Sequence, residues 1–88
     1  MEIRKKIVVK NPEGLHARPA TELVKALSEV SSEVYIVYKG MKANAKSILN
    51  ILSLGVDPGA EVEVIVSGED AEKAIEIVEA ILNEEAKD

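Results

Sequence analysis

Cysteine is absent, which removes disulfide bridges, thiolate metal sites and thiol nucleophiles from consideration and suits a reducing compartment. No run of about eighteen apolar residues occurs, so no membrane insertion is expected. Met1 to Lys10 mixes charges with apolar residues and offers no signal-peptide core. The expectation is a soluble, cytoplasmic protein. The net charge of -5 argues against direct nucleic-acid binding, because polyphosphate backbones are held by clustered Lys and Arg. The single histidine has no H-x-x-x-H spacing and no cysteine beside it, so a zinc site would need distant carboxylates. No G-x-S-x-G elbow accompanies the serines. Neither a metal nor a cofactor is expected.

What is present is an 88-residue chain with 47% hydrophobic residues, enough for one compact domain over residues 1–88. Such a domain has little room for a deep cleft, so its chemistry belongs near the surface and a protein partner is favoured over an enclosed metabolite. Met1 to Val56 holds nine Lys or Arg against five Asp or Glu, a balance of +4, and Asp57 to Asp88 holds two against eleven, a balance of -9. That division suggests an electrically two-ended molecule whose positive end could steer an acidic partner. An acidic helix kept soluble by its surface charge explains the C-terminal half equally well.

Ile3, Ile7 and Val9 alternate with charged residues as in a strand, and Asn11-Pro12-Glu13-Gly14 punctuates its end. Ala20, Leu23, Val24 and Leu27 recur at helical spacing, with Pro19 tolerable in a first turn, so a helix begins near His16–Pro19. Val34 to Tyr38, the turn Lys39-Gly40, and Met41 to Ala45 read as a hairpin. Ser47 and Gly55 bracket a short apolar helix, and Asp57-Pro58-Gly59 is a turn. Val62, Val64 and Val66 give one apolar face of a half-exposed strand. Asp70 can cap a last helix with Ala71, Ala74, Ile75, Val78, Ile81 and Leu82 on one stripe, ahead of a charged tail, Asn83 to Asp88, that is expected to fray. The order is β-α-β-β-α-β-α, an α+β fold in two layers with helices on one face of a four-stranded sheet.

His16 lies in Gly14-Leu15-His16-Ala17-Arg18-Pro19-Ala20, between a glycine turn and a helix start. First-turn N–H groups, here those of Ala17 and Arg18, and the positive end of the helix dipole make a ready phosphate site. Arg18 could add a charge-assisted contact to the same oxygens. The same field favours the neutral imidazole, which keeps a lone pair for attack on phosphorus. On placement alone, a histidine near a helix start is more often a cap or a solvated surface residue than a catalytic one. Ser47 reads first as an N-cap worth about 1 kcal/mol, and a phosphate there would meet the helix N-terminus while adding about two negative charges. Ile48, Leu49, Ile51 and Leu52 crowd one short helix, so either some are exposed as an apolar docking patch or all are core.

Gly14-Leu15-His16-Ala17-Arg18-Pro19-Ala20, followed in order by Asn44-Ala45-Lys46-Ser47-Ile48 and Ser53-Leu54-Gly55-Val56, resembles the histidine-containing phosphocarrier family HPr of the phosphoenolpyruvate-dependent sugar phosphotransferase system. The resemblance spans nearly the whole chain. It implies an open-faced β-sandwich with an antiparallel four-stranded sheet and three helices on one face. It makes His16 the phosphoacceptor through Nδ1, taking the group from enzyme I and passing it to EIIA domains, with Arg18 helping to hold the phosphate. On that reading the chain is a phosphoryl-transfer intermediate and not a free-standing enzyme. Ser47 matches the serine modified by an ATP-dependent HPr kinase/phosphorylase, which slows histidine phosphorylation and creates a corepressor for a catabolite-control transcription factor.

Ala17, Ile48, Leu49 and Leu52 fall where the family docks its partners, and a monomer is expected. Asn50 departs from the small glycine common in Gram-positive members, which touches the transcription-factor interaction more than the transfer chemistry. His16 argues against the Crh-like paralogues, which lack the active histidine, although a nitrogen-related NPr could share the first motif. The competing function is a regulatory binding module read out through phospho-Ser47, acting without sugar transport.

Overall fold

The computed structural model describes residues 1–84. Its elements run β1 (Glu2–Val8), α1 (Ala17–Leu27), β2 (Glu33–Tyr38), β3 (Met41–Asn44), α2 (Ile48–Leu54), β4 (Glu61–Ser67) and α3 (Ala71–Leu82). Every contact between strands is antiparallel, in the order β1-β4-β2-β3. This is the two-layer α+β arrangement that the alternation predicts, an open-faced sandwich with one sheet face covered. The alternation shows why. Val62, Val64 and Val66 of β4, Val34 and Ile36 of β2, and Ile7 of β1 are buried on one face, while Glu61, Glu33, Glu2 and Arg4 point the other way into solvent.

The covering layer is built from helical stripes. Leu23 and Leu27 of α1, Ile51 and Leu54 of α2, and Ala74, Val78 and Leu82 of α3 join the strand valines in one buried cluster. Each fully buried aliphatic side chain contributes about 1.5–3 kcal/mol through burial, so this cluster dominates the stability of the fold. The β2–β3 turn places Lys39 at φ 49° and Gly40 at φ 79°, the two successive left-handed residues of a primed hairpin turn. Gly55 at φ 64° ends α2 as its left-handed cap. None of the described helices is long and apolar enough to cross a membrane.

Two expectations are corrected. Asp70 stands at the N-cap position of α3 but makes no side-chain cap there. Its carboxylate instead accepts the N–H of Ser31 and of Ser32, each at 2.9 Å, and the Ser32 hydroxyl, so it fastens the start of β2. Those donors hold Asp70 well below the usual carboxylate range, at about 2, the Ser32 hydroxyl contributing most.

The charge division along the chain is not a division across the molecule. Strand pairing sets basic β1 against acidic β4, with Lys6 opposite Glu63, and Lys5 Nζ reaches Glu79 of α3 at 2.5 Å. Folding interleaves the two halves. The N–H groups of Asn83 and Glu84 bond back to Glu79 O and Ile81 O at the end of α3. The remainder of the expected tail, positions 85–88, lies outside the described residues.

Candidate functional site

The site grows from the loop between β1 and α1. Asn11, buried in the interior, accepts the Glu13 N–H on Oδ1 at 2.9 Å and the Gly14 N–H on its carbonyl at 3.0 Å, closing a turn. Gly14 takes φ 63° and lies so close to the α2–β4 connection that a Cβ would overlap the Val56 carbonyl oxygen. Leu15 then donates its N–H to that same oxygen at 3.0 Å and buries its side chain completely. With Leu15 pinned inward, His16 is turned outward and stays 43% exposed.

His16 occupies the N-cap position of α1 in extended backbone, but its side chain makes no cap hydrogen bond. The cap role left open by the sequence is therefore not the one that the ring performs. Ala17 follows at φ 34°, a left-handed conformation that costs a non-glycine residue about 1 kcal/mol and is concentrated at functional sites. The first turn of α1 has no acidic residue, so the positive end of the helix carries no compensating charge of its own beside the ring.

Nε2 of His16 lies 3.0 Å from Oδ1 of Asp57, a residue 41 positions away in the chain. A carboxylate only accepts, so this contact is a hydrogen bond when Nε2 carries the hydrogen, and in the neutral ring that arrangement leaves the lone pair on Nδ1. Nδ1 has no hydrogen-bond partner among the described residues. In sequence Asp57 is part of the Asp57-Pro58-Gly59 turn, and no local spacing signals that this turn returns to His16.

Arg18 is placed differently from the simplest expectation. Its guanidinium bonds to Glu13 and sits 3.7 Å from Glu22 one helical turn on, with no hydrogen bond to His16. Glu13 first, then Glu22, raises its pKa above the ordinary arginine value. Glu13 belongs in sequence to the Asn11–Gly14 turn, and its five-residue spacing from Arg18 across Gly14 matches no helical pairing, so this partner carries no local signal.

Ser47 accepts the Asn50 N–H on Oγ at 3.4 Å, as an N-cap does, while Lys46 turns its ammonium away to the Val30 carbonyl at 2.6 Å. On α2, Ile51 is buried, Ile48 is half-buried, and Leu49 and Leu52 are 75% and 39% exposed. The alternative in which all four apolar residues are core does not hold. Helices α1 and α2 pack together, and α2 leads directly through Gly55 and Val56 to Asp57, so this patch and the histidine loop share one end of the covering layer.

The sequence matches the family described as PTS HPr component phosphorylation site over residues 3–84. The chain belongs to the HPr family. Solved structures agree with this. The phosphocarrier protein HPr from Bacillus anthracis str. Ames superposes with a TM-score of 0.89 at 33% identity, covering 92% of this chain and 96% of that one. HPr-C-His from Thermoanaerobacter tengcongensis gives a TM-score of 0.85 at 40% identity over 96% and 99%. Crh, the catabolite repression HPr of Bacillus subtilis, gives 0.75 at 37% identity over 98% and 100%. The HPr family identifies the chain as a phosphocarrier of the phosphotransferase system, which implies protein partners within that system. Dimers occur among the solved relatives, including an HPr dimer from Thermoanaerobacter tengcongensis, so a monomer is not a general property of the family.

Proposed function

We propose that His16 is the residue that carries the phosphoryl group, accepting it from enzyme I on Nδ1 and delivering it to EIIA domains in sugar uptake. The observation that carries this reading is the free Nδ1 of an exposed imidazole that is not used to cap its helix, set at a helix N-terminus without acidic residues. In the loading step the Nδ1 lone pair forms the N–P bond while the donor's bond to phosphorus breaks and its electron pair returns to the donor. The first-turn N–H groups of Ala17 and Arg18 and the helix dipole stabilise the phosphoryl oxygens. Arg18 joins them by leaving Glu13, an exchange of one charged partner for another on an exposed side chain. Delivery reverses the bonds, and no hydrolysis is needed.

Partners dock on Ala17, Ile48, Leu49 and Leu52. Ser47 is the regulatory position, modified by an HPr kinase/phosphorylase in carbon catabolite control. Its hydroxyl stands at the N-terminus of α2 beside the exposed leucines, where a phosphate adds about two negative charges to a docking face. The phosphorylated form is the one offered to a catabolite-control transcription factor. No feature of the site favours a purely regulatory module over the carrier.

Sugar phosphorylation reconstituted from phosphoenolpyruvate, enzyme I, this protein and a sugar-specific permease tests the carrier reading. His16→Ala is expected to abolish it, and full capacity in that variant would overturn the reading. With ATP and the kinase, a phosphoryl addition lost in Ser47→Ala is the outcome expected for the regulatory site.

A further inference from the structure

We propose that Asp57 is a positioning residue for phosphoryl transfer, holding the proton on Nε2 of His16 so that Nδ1 presents the lone pair. This rests on the carrier reading of His16. A neutral imidazole has one N–H and two places to put it, and only the tautomer with hydrogen on Nε2 can attack through Nδ1. The Asp57 oxygen, 3.0 Å from Nε2, accepts a hydrogen bond from that tautomer and meets a lone pair in the other.

The pair is held from both sides. The Leu15 N–H bond to Val56 O fixes the residue before each partner, and the close approach of Gly14 to the Val56 and Asp57 backbone allows no spacer between the two loops. The Asp57 carbonyl accepts the Ala60 N–H at 3.2 Å, which closes the turn that aims the side chain. The Asp57 side chain is 76% exposed and makes no other hydrogen bond among the described residues, so it supports the ring and little else.

A second effect follows from charge. As Nδ1 forms its bond to phosphorus, positive charge develops on the ring and is shared with Nε2–H, which the carboxylate faces. In delivery the N–P bond breaks, its electron pair returns to Nδ1, and the proton remains on Nε2. The carboxylate thus steadies the charged ring in both directions without itself gaining or losing a proton.

The experiment uses the full chain. Long-range nitrogen–proton NMR on ¹⁵N-labelled protein reads the His16 tautomer, and rapid-quench transfer from phosphoenolpyruvate through enzyme I reads the rate. In Asp57→Ala, the tautomer population is expected to move toward the mixture of a free histidine, and loading to slow by about two- to fivefold, the range of an exposed charge pair. Asp57→Asn retains an accepting oxygen, so it is expected to restore the tautomer and part of the rate. Parent values for both readouts in Asp57→Ala, or a slower rate with an unchanged tautomer, would overturn the proposal. If the parent protein takes up no phosphoryl group, the carrier reading itself fails, and the role of Asp57 falls with it.

Discussion

Replacing Leu49 by Ala separates docking from folding. Leu49 is 75% exposed on α2, whereas Ile51, two residues on, is completely buried. Fully burying a leucine side chain is worth about 1.5–3 kcal/mol, so a partner that covers Leu49 gains about 1–2 kcal/mol that the isolated protein does not have. Leu49→Ala is therefore expected to weaken association with enzyme I by about five- to thirtyfold. Its own stability should stay within about 0.5 kcal/mol, because alanine is at least as good a helix former and no core contact is removed. Ile51→Ala is the opposite case, expected to cost about 2–5 kcal/mol of folding stability. Titration calorimetry against enzyme I and thermal unfolding of each variant give the two readouts. An unchanged Kd in Leu49→Ala, or a loss of stability matching that of Ile51→Ala, would refute the assignment of this helix to one buried and one docking face.

Two further outcomes concern the scaffold. Asp70, held at about 2 against an ordinary 3.8, contributes stability that is present above pH 4 and lost as pH falls toward 2. The stability advantage of the parent over Asp70→Asn should shrink across that window in thermal melts, and a constant gap would contradict the latch. Gly14→Ala must place a Cβ on the Val56 carbonyl at φ 63°, whereas Gly55→Ala, at φ 64°, meets nothing within 4 Å. Gly55→Ala is expected to cost about 1 kcal/mol, the left-handed penalty alone, and Gly14→Ala clearly more. Equal costs would argue against the close approach of the two loops.

The element order was legible because each segment carries its own period. Val62, Val64 and Val66 alternate, and Leu23 and Leu27 recur at a helical step, so local pattern and tertiary burial agree. His16 at a helix start was legible too, because Gly14 and Pro19 punctuate the chain on either side of it. What could not be read was pairing at a distance. Asp57 reaches His16 only because Val56 binds Leu15, a contact between two loops that no spacing records. Asp70 looks like a cap by position, yet the serines 38 and 39 residues earlier take its oxygens. The charge imbalance between the chain's two halves was misleading for the same reason, since strand order β1-β4 sets one against the other. Leu49 and Ile51 are equally apolar in sequence, and only the packing of α2 decides which one faces solvent.

The most direct test of the account is the intact mass of the protein after incubation with phosphoenolpyruvate and enzyme I, before and after brief acid treatment. One added phosphoryl group that acid removes, and that His16→Ala never acquires, is the predicted result. An addition that survives acid, or that appears undiminished in His16→Ala, would contradict it.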